Sequence, residues 1–279
     1  MRELAAETIT EAVAALCISA NLYLNEDIRR AFETAKTAET EDMPREVLSK
    51  MLANADVAAE KSLPICQDTG MAVVFAEVGQ DVHIAGGLSE AIHEGVRRGY
   101  ADGYLRKSVV RDPVDRVNTK DNTPAVIHYS IVHGDKVRLI VAPKGFGSEN
   151  MSALRMCKPS DGMDGVKRAV LDAVKAAGSN PCPPIVVGVG VGGTMEKAAL
   201  MAKEALLRPI GSANENTMWA DTEKELLDGI NTLDIGPAGF GGKTTALAVH
   251  INTFPTHIAG LPVAVNIGCH VTRHAEREV

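Results

Sequence analysis

The stretch Pro181-Cys182-Pro183-Pro184-Ile185-Val186-Val187-Gly188-Val189-Gly190-Val191-Gly192-Gly193-Thr194 decides how this chain is organised. Its apolar, β-branched run predicts a strand over Ile185–Val189, and Thr194–Leu206 behind it reads as a helix. Gly188, Gly190 and Gly193 match G-x-G-x-x-G at that strand–helix border, the pattern of a dinucleotide site. Such a site also needs an acidic residue about 20 positions on, at the end of a second parallel strand. That region reads Pro209-Ile210-Gly211-Ser212-Ala213-Asn214, with no strand, so the nucleotide reading is not favoured. A helix N-terminus after a strand still suits an anion or a reduced cluster.

Working outward, residues 2–60 read as helices. Ala5, Ile9, Val13, Leu16 and Ile18 recur at helical spacing, Asn25 is placed to cap a second helix through Ile28 and Phe32, and a third begins near Pro44. Cys17 lies on the apolar face of the first helix and is read as a packed thiol. Lys61-Ser62-Leu63-Pro64-Ile65-Cys66-Gln67-Asp68-Thr69-Gly70 follows as a loop, with Pro64 and Gly70 keeping a thiol, an amide and a carboxylate out of any helix. A strand is predicted over Met71–Val78 and a helix over Gly86–Gly103. Arg106 comes directly after that helix, where a guanidinium is able to clamp a carboxylate. Ala125–Val132 and Lys136–Ala142, joined by His133-Gly134-Asp135, are expected to pair as a β-hairpin. Lys144-Gly145-Phe146-Gly147-Ser148-Glu149 is a glycine-rich connection whose backbone amides are open to a ligand. Cys157 is read as structural, and Asp161–Val174 as a helix ending at Gly178.

Towards the C-terminus, Gly236-Pro237-Ala238-Gly239-Phe240-Gly241-Gly242-Lys243-Thr244 imitates a phosphate loop. It lacks the required glycine, because Pro237 stands there, so Lys243 is expected to be the cation of an anion-binding loop. Strands are predicted over Ala246–Ile251 and Leu261–Ile267, the second running into Gly268-Cys269-His270, and a basic tail closes the chain. The fold expected is α/β, one domain over residues 1–279, with a mixed sheet, surrounding helices and a helical region over residues 1–60.

Bulk properties bound the function. The net charge of −7 (29 basic against 36 acidic residues) argues against a nucleic-acid surface. No run approaches the roughly 18 apolar residues of a membrane helix, and MRELAAETITEAV lacks an apolar signal core, so a cytoplasmic protein is expected. The five widely spaced cysteines argue against a disulfide framework. Cys66, Cys182 and Cys269 share a setting that Cys17 and Cys157 lack: each stands beside Pro or Gly at the border of a strand-like segment. Structural zinc normally uses close cysteine pairs, absent here. An iron–sulfur cube normally has four thiolates, and with three it keeps one iron open as a Lewis acid.

The stretches PICQDTG (64–70), LRKS (105–108), NTKDNTPAVIHY (118–129), GFGSENMSAL (145–154), PCPPIVVGVGVGGTMEKAALMAKEALLRPIGS (181–212), IGPAGFGGKTTALAVHI (235–251) and THIAGLPVAVNIGCHVTRHA (256–275) occur in one order. In them the chain resembles the α subunit of the two-subunit class I (iron–sulfur) fumarate hydratases, in the hydro-lyase family that includes L-tartrate dehydratase. The resemblance implies a [4Fe–4S] cluster held by Cys66, Cys182 and Cys269, with substrate bound by Gln67, Asp68, Arg106 and the Gly147 backbone. It implies proton transfer involving Asp68, tuned by His257, and gives Cys157 no role. The groups that single-chain relatives carry in a following domain would come from a separate β subunit, in a heterodimer or heterotetramer. The implied reaction is hydration of fumarate to (S)-malate, a step of the tricarboxylic acid cycle. Tartrate is expected to be a poor substrate, with L-tartrate dehydratase or mesaconate hydratase as the alternatives.

Overall fold

The computed structural model describes residues 2–279, which form two compact units interleaved along the chain. The first takes the chain up to Leu24, then Ala55–Phe146 and Arg273–Val279; the second takes Asn25–Asn54 and Gly147–Thr272. Both are α/β, and each holds a four-stranded mixed sheet.

In the first unit the strand order is β10 (Ala275–Glu278), β5 (Val137–Lys144), β2 (Met71–Gly79), β4 (Val126–Val132). β1 (Arg2–Ala5) pairs in parallel with β3 (Val82–Ala85), so the N-terminal region expected to be helical opens on a short strand. Helix α1 (Ala6–Leu22) packs on α4 (Leu88–Asp102), and Ile9, Val13, Cys17, Ile92 and Val96 meet Val74, Leu139 and Val141 of the sheet in one core. Cys17 is wholly buried, and burial pushes its thiol up to about 12, the inert packing residue expected. The expected hairpin does not form. β4 and β5 do not pair with each other; β2 lies between them, parallel to β4 and antiparallel to β5. The apolar run of β2 is buried through Ala72–Ala76 and needs neighbours on both sides, whereas β4 is mostly exposed and suits an edge.

In the second unit the order is β6 (Ala153–Cys157), β9 (Leu261–Gly268), β7 (Ile185–Gly192), β8 (Ala246–Phe254). β7 is buried at every position and is flanked by parallel β8 and antiparallel β9. Val187, Val189 and Val191 point to one face, where they join Val170 and Val174 of α6 (Gly162–Ala177) and Leu226 and Ile230 of α8 (Thr217–Asn231). Gly188 and Gly190 point to the other face, under α7 (Met195–Ala205). A Cβ at Gly190 would stand 2.0 Å from the Ala198 carbonyl oxygen, and one at Gly188 2.1 Å from that of Ala202. The glycine spacing that imitated a nucleotide fingerprint therefore lets a helix backbone lie directly on a strand. The turn itself belongs to Gly192 and Gly193, at φ +93° and +68°. Cys157 is buried at the end of β6, where burial raises its thiol.

The remaining helices are α2 (Glu26–Ala38), α3 (Asp42–Lys61) and the single turn α5 (Phe146–Glu149). Asn25 holds the N-cap position of α2, yet its side chain makes no capping bond. α8, β3 and β10 have no counterpart in the sequence reading; the expected basic tail is β10, paired antiparallel with β5. No helix among the described residues is long and apolar enough to cross a membrane.

Gly190→Ala should cost about 2–3 kcal/mol, because the atoms its methyl meets are backbone and cannot swing aside. Gly229→Ala in α8 should instead gain about 0.5–1 kcal/mol, since the nearest atom to its methyl is a Leu171 side-chain carbon at 3.6 Å. Urea midpoints measure both, and an unchanged midpoint for Gly190→Ala would refute this packing.

Candidate active site

In the first unit the loop between α3 and β2 is anchored by the Ile65 amide on the Asn21 carbonyl, 3.0 Å, with Ile65 buried. Cys66 is half-buried and its Sγ lies 3.5 Å from Gln67 Oε1. Asp68 is fixed through both carboxylate oxygens: Oδ1 accepts from the Gly70 amide and Oδ2 from the Phe146 amide, each 3.0 Å. Its carbonyl accepts from Arg273 Nη2 at 2.5 Å.

Arg106 is brought to this loop by Thr69, whose buried hydroxyl accepts from the Arg106 amide at 2.9 Å and donates to the Arg106 carbonyl at 3.2 Å. Tyr100, buried in the core, donates its hydroxyl to the Thr69 and Gly70 carbonyls at 2.8 and 3.0 Å. Burial pushes its phenol well above the usual tyrosine range, so it stays a donor. Asn122 closes the arrangement. Its Oδ1 accepts from the Ser108 and Val109 amides at 2.7 and 3.2 Å, and its Nδ2 donates to the Gly70 carbonyl at 3.2 Å. Cys66, Gln67, Asp68 and Arg106 thus share one neighbourhood. The guanidinium of Arg106 is exposed and forms no ion pair among the described residues.

In the second unit β7 and β9 run antiparallel with Val186 opposite Gly268, so the loop before β7 and the loop after β9 emerge at one end of the sheet. These loops carry Cys182 and Cys269. Both the backbone amide and Nδ1 of His270 reach the Cys182 carbonyl, at 3.2 and 3.1 Å. Cys182 is exposed and sits at φ +55°, a left-handed backbone that costs a residue with a Cβ and recurs at functional loops. Gly147 belongs to the same end: a Cβ there would lie 3.8 Å from the Asn180 carbonyl oxygen, two residues before Cys182.

His257 does not join them. It stands in the exposed turn before β9, and the eight-residue length of β9, roughly 20 Å or more, separates it from Cys269. Its Nδ1 accepts from the Ala259 amide at 3.2 Å, and Thr256 Oγ1 ties the turn to the Gly193 carbonyl at 2.9 Å. The loop around Lys243 is also unlike the expectation. The Gly242 amide donates to Asp234 Oδ1 and the Lys243 amide to Glu39 Oε2, both 2.8 Å. This loop binds anions, but they are carboxylates of its own chain.

Cys66, Cys182 and Cys269 form no disulfide among the described residues and none is buried, whereas Cys17 and Cys157 are both buried. No group of three or more His, Cys, Asp or Glu among the described residues is gathered as for a metal ion. The donor set nevertheless fits a thiolate-held cluster in kind: three accessible thiols, two of them on joined loops. Thr69, Tyr100, Asn122 and Arg273 were missed in the sequence, where nothing sets a buried clamp apart from ordinary loop polarity.

Asn122→Ala should cost about 2–4 kcal/mol. It leaves the buried Gly70 carbonyl and the Ser108 and Val109 amides without their partner and puts alanine at φ +62°. Thermal unfolding measures the loss; an unaltered Tm would show that the clamp is dispensable.

A sequence model of the family described as fumarate hydratase (Fumerase) matches residues 10–278. A Methanocaldococcus jannaschii protein provisionally named L(+)-tartrate dehydratase subunit alpha is 41% identical over 278 residues, covering 97% of each chain. The L(+)-tartrate dehydratase subunit alpha of Escherichia coli K12 is 32% identical over 276 residues, covering 98% of this chain and 91% of its own; its Shigella sonnei counterpart matches equally. The chain belongs to the fumarate hydratase (Fumerase) family, within the iron–sulfur hydro-lyase α-subunit group that its sequence motifs resemble.

Proposed function

We propose that this chain is the α subunit of a two-subunit hydro-lyase that removes water from, or adds it to, a four-carbon dicarboxylate. The carrying observation is that the residues implied by the motifs gather into two constellations: Cys66, Gln67, Asp68 and Arg106 in one unit, and Gly147, Cys182 and Cys269 in the other. The family match runs through both units, which supports reading residues 1–279 as one functional module. Relatives named as α subunits support a β-subunit partner.

Cys66, Cys182 and Cys269 are assigned as ligands of a [4Fe–4S] cluster. Bound there, the cluster supplies a Lewis-acidic iron for a hydroxyl and its neighbouring carboxylate. The chain's own residues do the rest. Arg106, which forms no ion pair among the described residues, is suited to hold the far carboxylate bidentately, and the Gln67 amide and Gly147 backbone orient the substrate. Asp68 is held in place by the Gly70 and Phe146 amides, and each of its oxygens keeps a further lone pair with which to accept or return the proton beside the substrate carboxylate. His257 is the residue that the motifs imply for tuning Asp68; within its own unit it stands at the opposite end of β9 from Cys269.

The named relatives favour L(+)-tartrate as the substrate, ahead of the fumarate that the motifs suggested. Fumarate and (S)-malate remain the second reading, supported by the description of the family and by GFGSENMSAL, GGKTTALAVHI and THIAGLPVAVNIG. A site built to bond tartrate's extra hydroxyl rejects malate strongly, whereas an apolar one rejects tartrate less well.

The test is an anaerobic αβ complex assayed for oxaloacetate from L(+)-tartrate and for fumarate from (S)-malate. A higher kcat/KM for tartrate is expected; a higher value for malate selects the second reading, and inactivity on both overturns the class. The α chain alone should be inactive. Arg106→Gln should lower kcat/KM about 100-fold, the equivalent of a charge-assisted pair worth about 3 kcal/mol.

A further inference from the structure

Arg273 is 5% exposed, yet no carboxylate pairs with it among the described residues. Its one hydrogen bond runs from Nη2 to the Asp68 carbonyl, 2.5 Å, and its Nε is buried without a partner. Guanidinium does not shed its proton in a protein, so burial cannot be relieved by neutralisation as it can for lysine. A buried, unpaired cation is costly, and such groups ordinarily sit against a counter-charge. The one carboxylate shown near it, that of Asp68, acts on the same Tyr100 phenol but forms no ion pair with Arg273 among the described residues. The Asp68 carboxylate is turned towards the Gly70 and Phe146 amides, and Tyr100 is held as a neutral phenol in the same core. The Arg273 charge opposes the burial that raises that phenol, which places it close by.

We propose that Arg273 is a positioning residue of the hydro-lyase site: it holds the Cys66–Gln67–Asp68 loop through the Asp68 carbonyl, and its buried charge, which forms no ion pair among the described residues, favours an anion docked against that loop. The inference rests on the hydro-lyase reading. It goes beyond it in naming a residue outside the substrate and thiol sets, which acts through Asp68 from within the core. The anion has two sources, a substrate carboxylate or the negatively charged cluster, and the two leave different signatures.

The experiment compares the anaerobic, cluster-loaded αβ complex with its Arg273→Met and Arg273→Lys variants. Arg273→Met should raise KM for the dicarboxylate at least tenfold if the anion is the substrate, or move the cluster's reduction potential to more negative values if it is the cluster. Arg273→Lys, which keeps the charge, should recover most of either change. An unchanged KM together with an unchanged potential in Arg273→Met overturns the proposal. Loss of folding in both variants also overturns it, by showing that Arg273 is needed for packing alone. A wild-type complex that holds no cluster and turns over neither substrate removes the hydro-lyase reading, and the proposal with it.

Discussion

The second unit depends on one close approach, that of the α7 backbone to β7. With carbonyl oxygens 2.0 and 2.1 Å from where side chains would begin, only glycine at 190 and 188 lets the helix seat. That seating leaves β7 buried on both faces and fixes its pairing with β9, whose antiparallel register brings the Cys182 and Cys269 loops out together. The position of two thiols is therefore set by two missing methyl groups in mid-strand. His270 then ties the loops through a single carbonyl, and the left-handed backbone at Cys182 is held by that framework.

The first unit reaches a similar end by polar means. Here the loops are irregular, and buried side chains take the place of a ladder. Thr69 answers Arg106 in both directions, Tyr100 bridges two carbonyls, and Asn122 spans three backbone groups. Each clamp satisfies backbone groups that burial would otherwise leave unpaired, so removing one is felt more strongly than the net worth of a hydrogen bond. The outcome is two joined loops whose exposed members, Gln67 on one and Arg106 on the other, stand on a rigid base.

Much of this was legible in the sequence, for reasons that can be stated. Apolar periodicity located α1, α2 and α3 and the strands β2, β7, β8 and β9, because each buries a continuous face. The hairpin was misjudged because a short glycine turn between two strands looks the same whether the strands pair or a third lies between them; only the burial of β2 decides. α8 carried a signal that was overlooked: Asn216, whose side chain accepts from the Met218 amide, precedes apolar Trp219, Leu226 and Ile230. Of the candidate site residues, the three loop thiols stand out by their Pro and Gly borders, while their assignment as cluster ligands comes from the family motifs. The role of His257 could not be tested locally, since twelve residues of chain do not reveal whether they turn back or run the length of a strand. Arg273 resembled part of a basic tail, and its burial is a property of the fold alone.

The central claim is that three loop thiols, and not the two buried ones, hold the metal centre. Iron bound by the anaerobically reconstituted chain tests it most directly, comparing wild type with serine at each of the five cysteines in turn. The account predicts about four irons per chain in wild type, retained with serine at Cys17 or Cys157 and lost with serine at Cys66, Cys182 or Cys269. Full iron retention in any of the last three would contradict it.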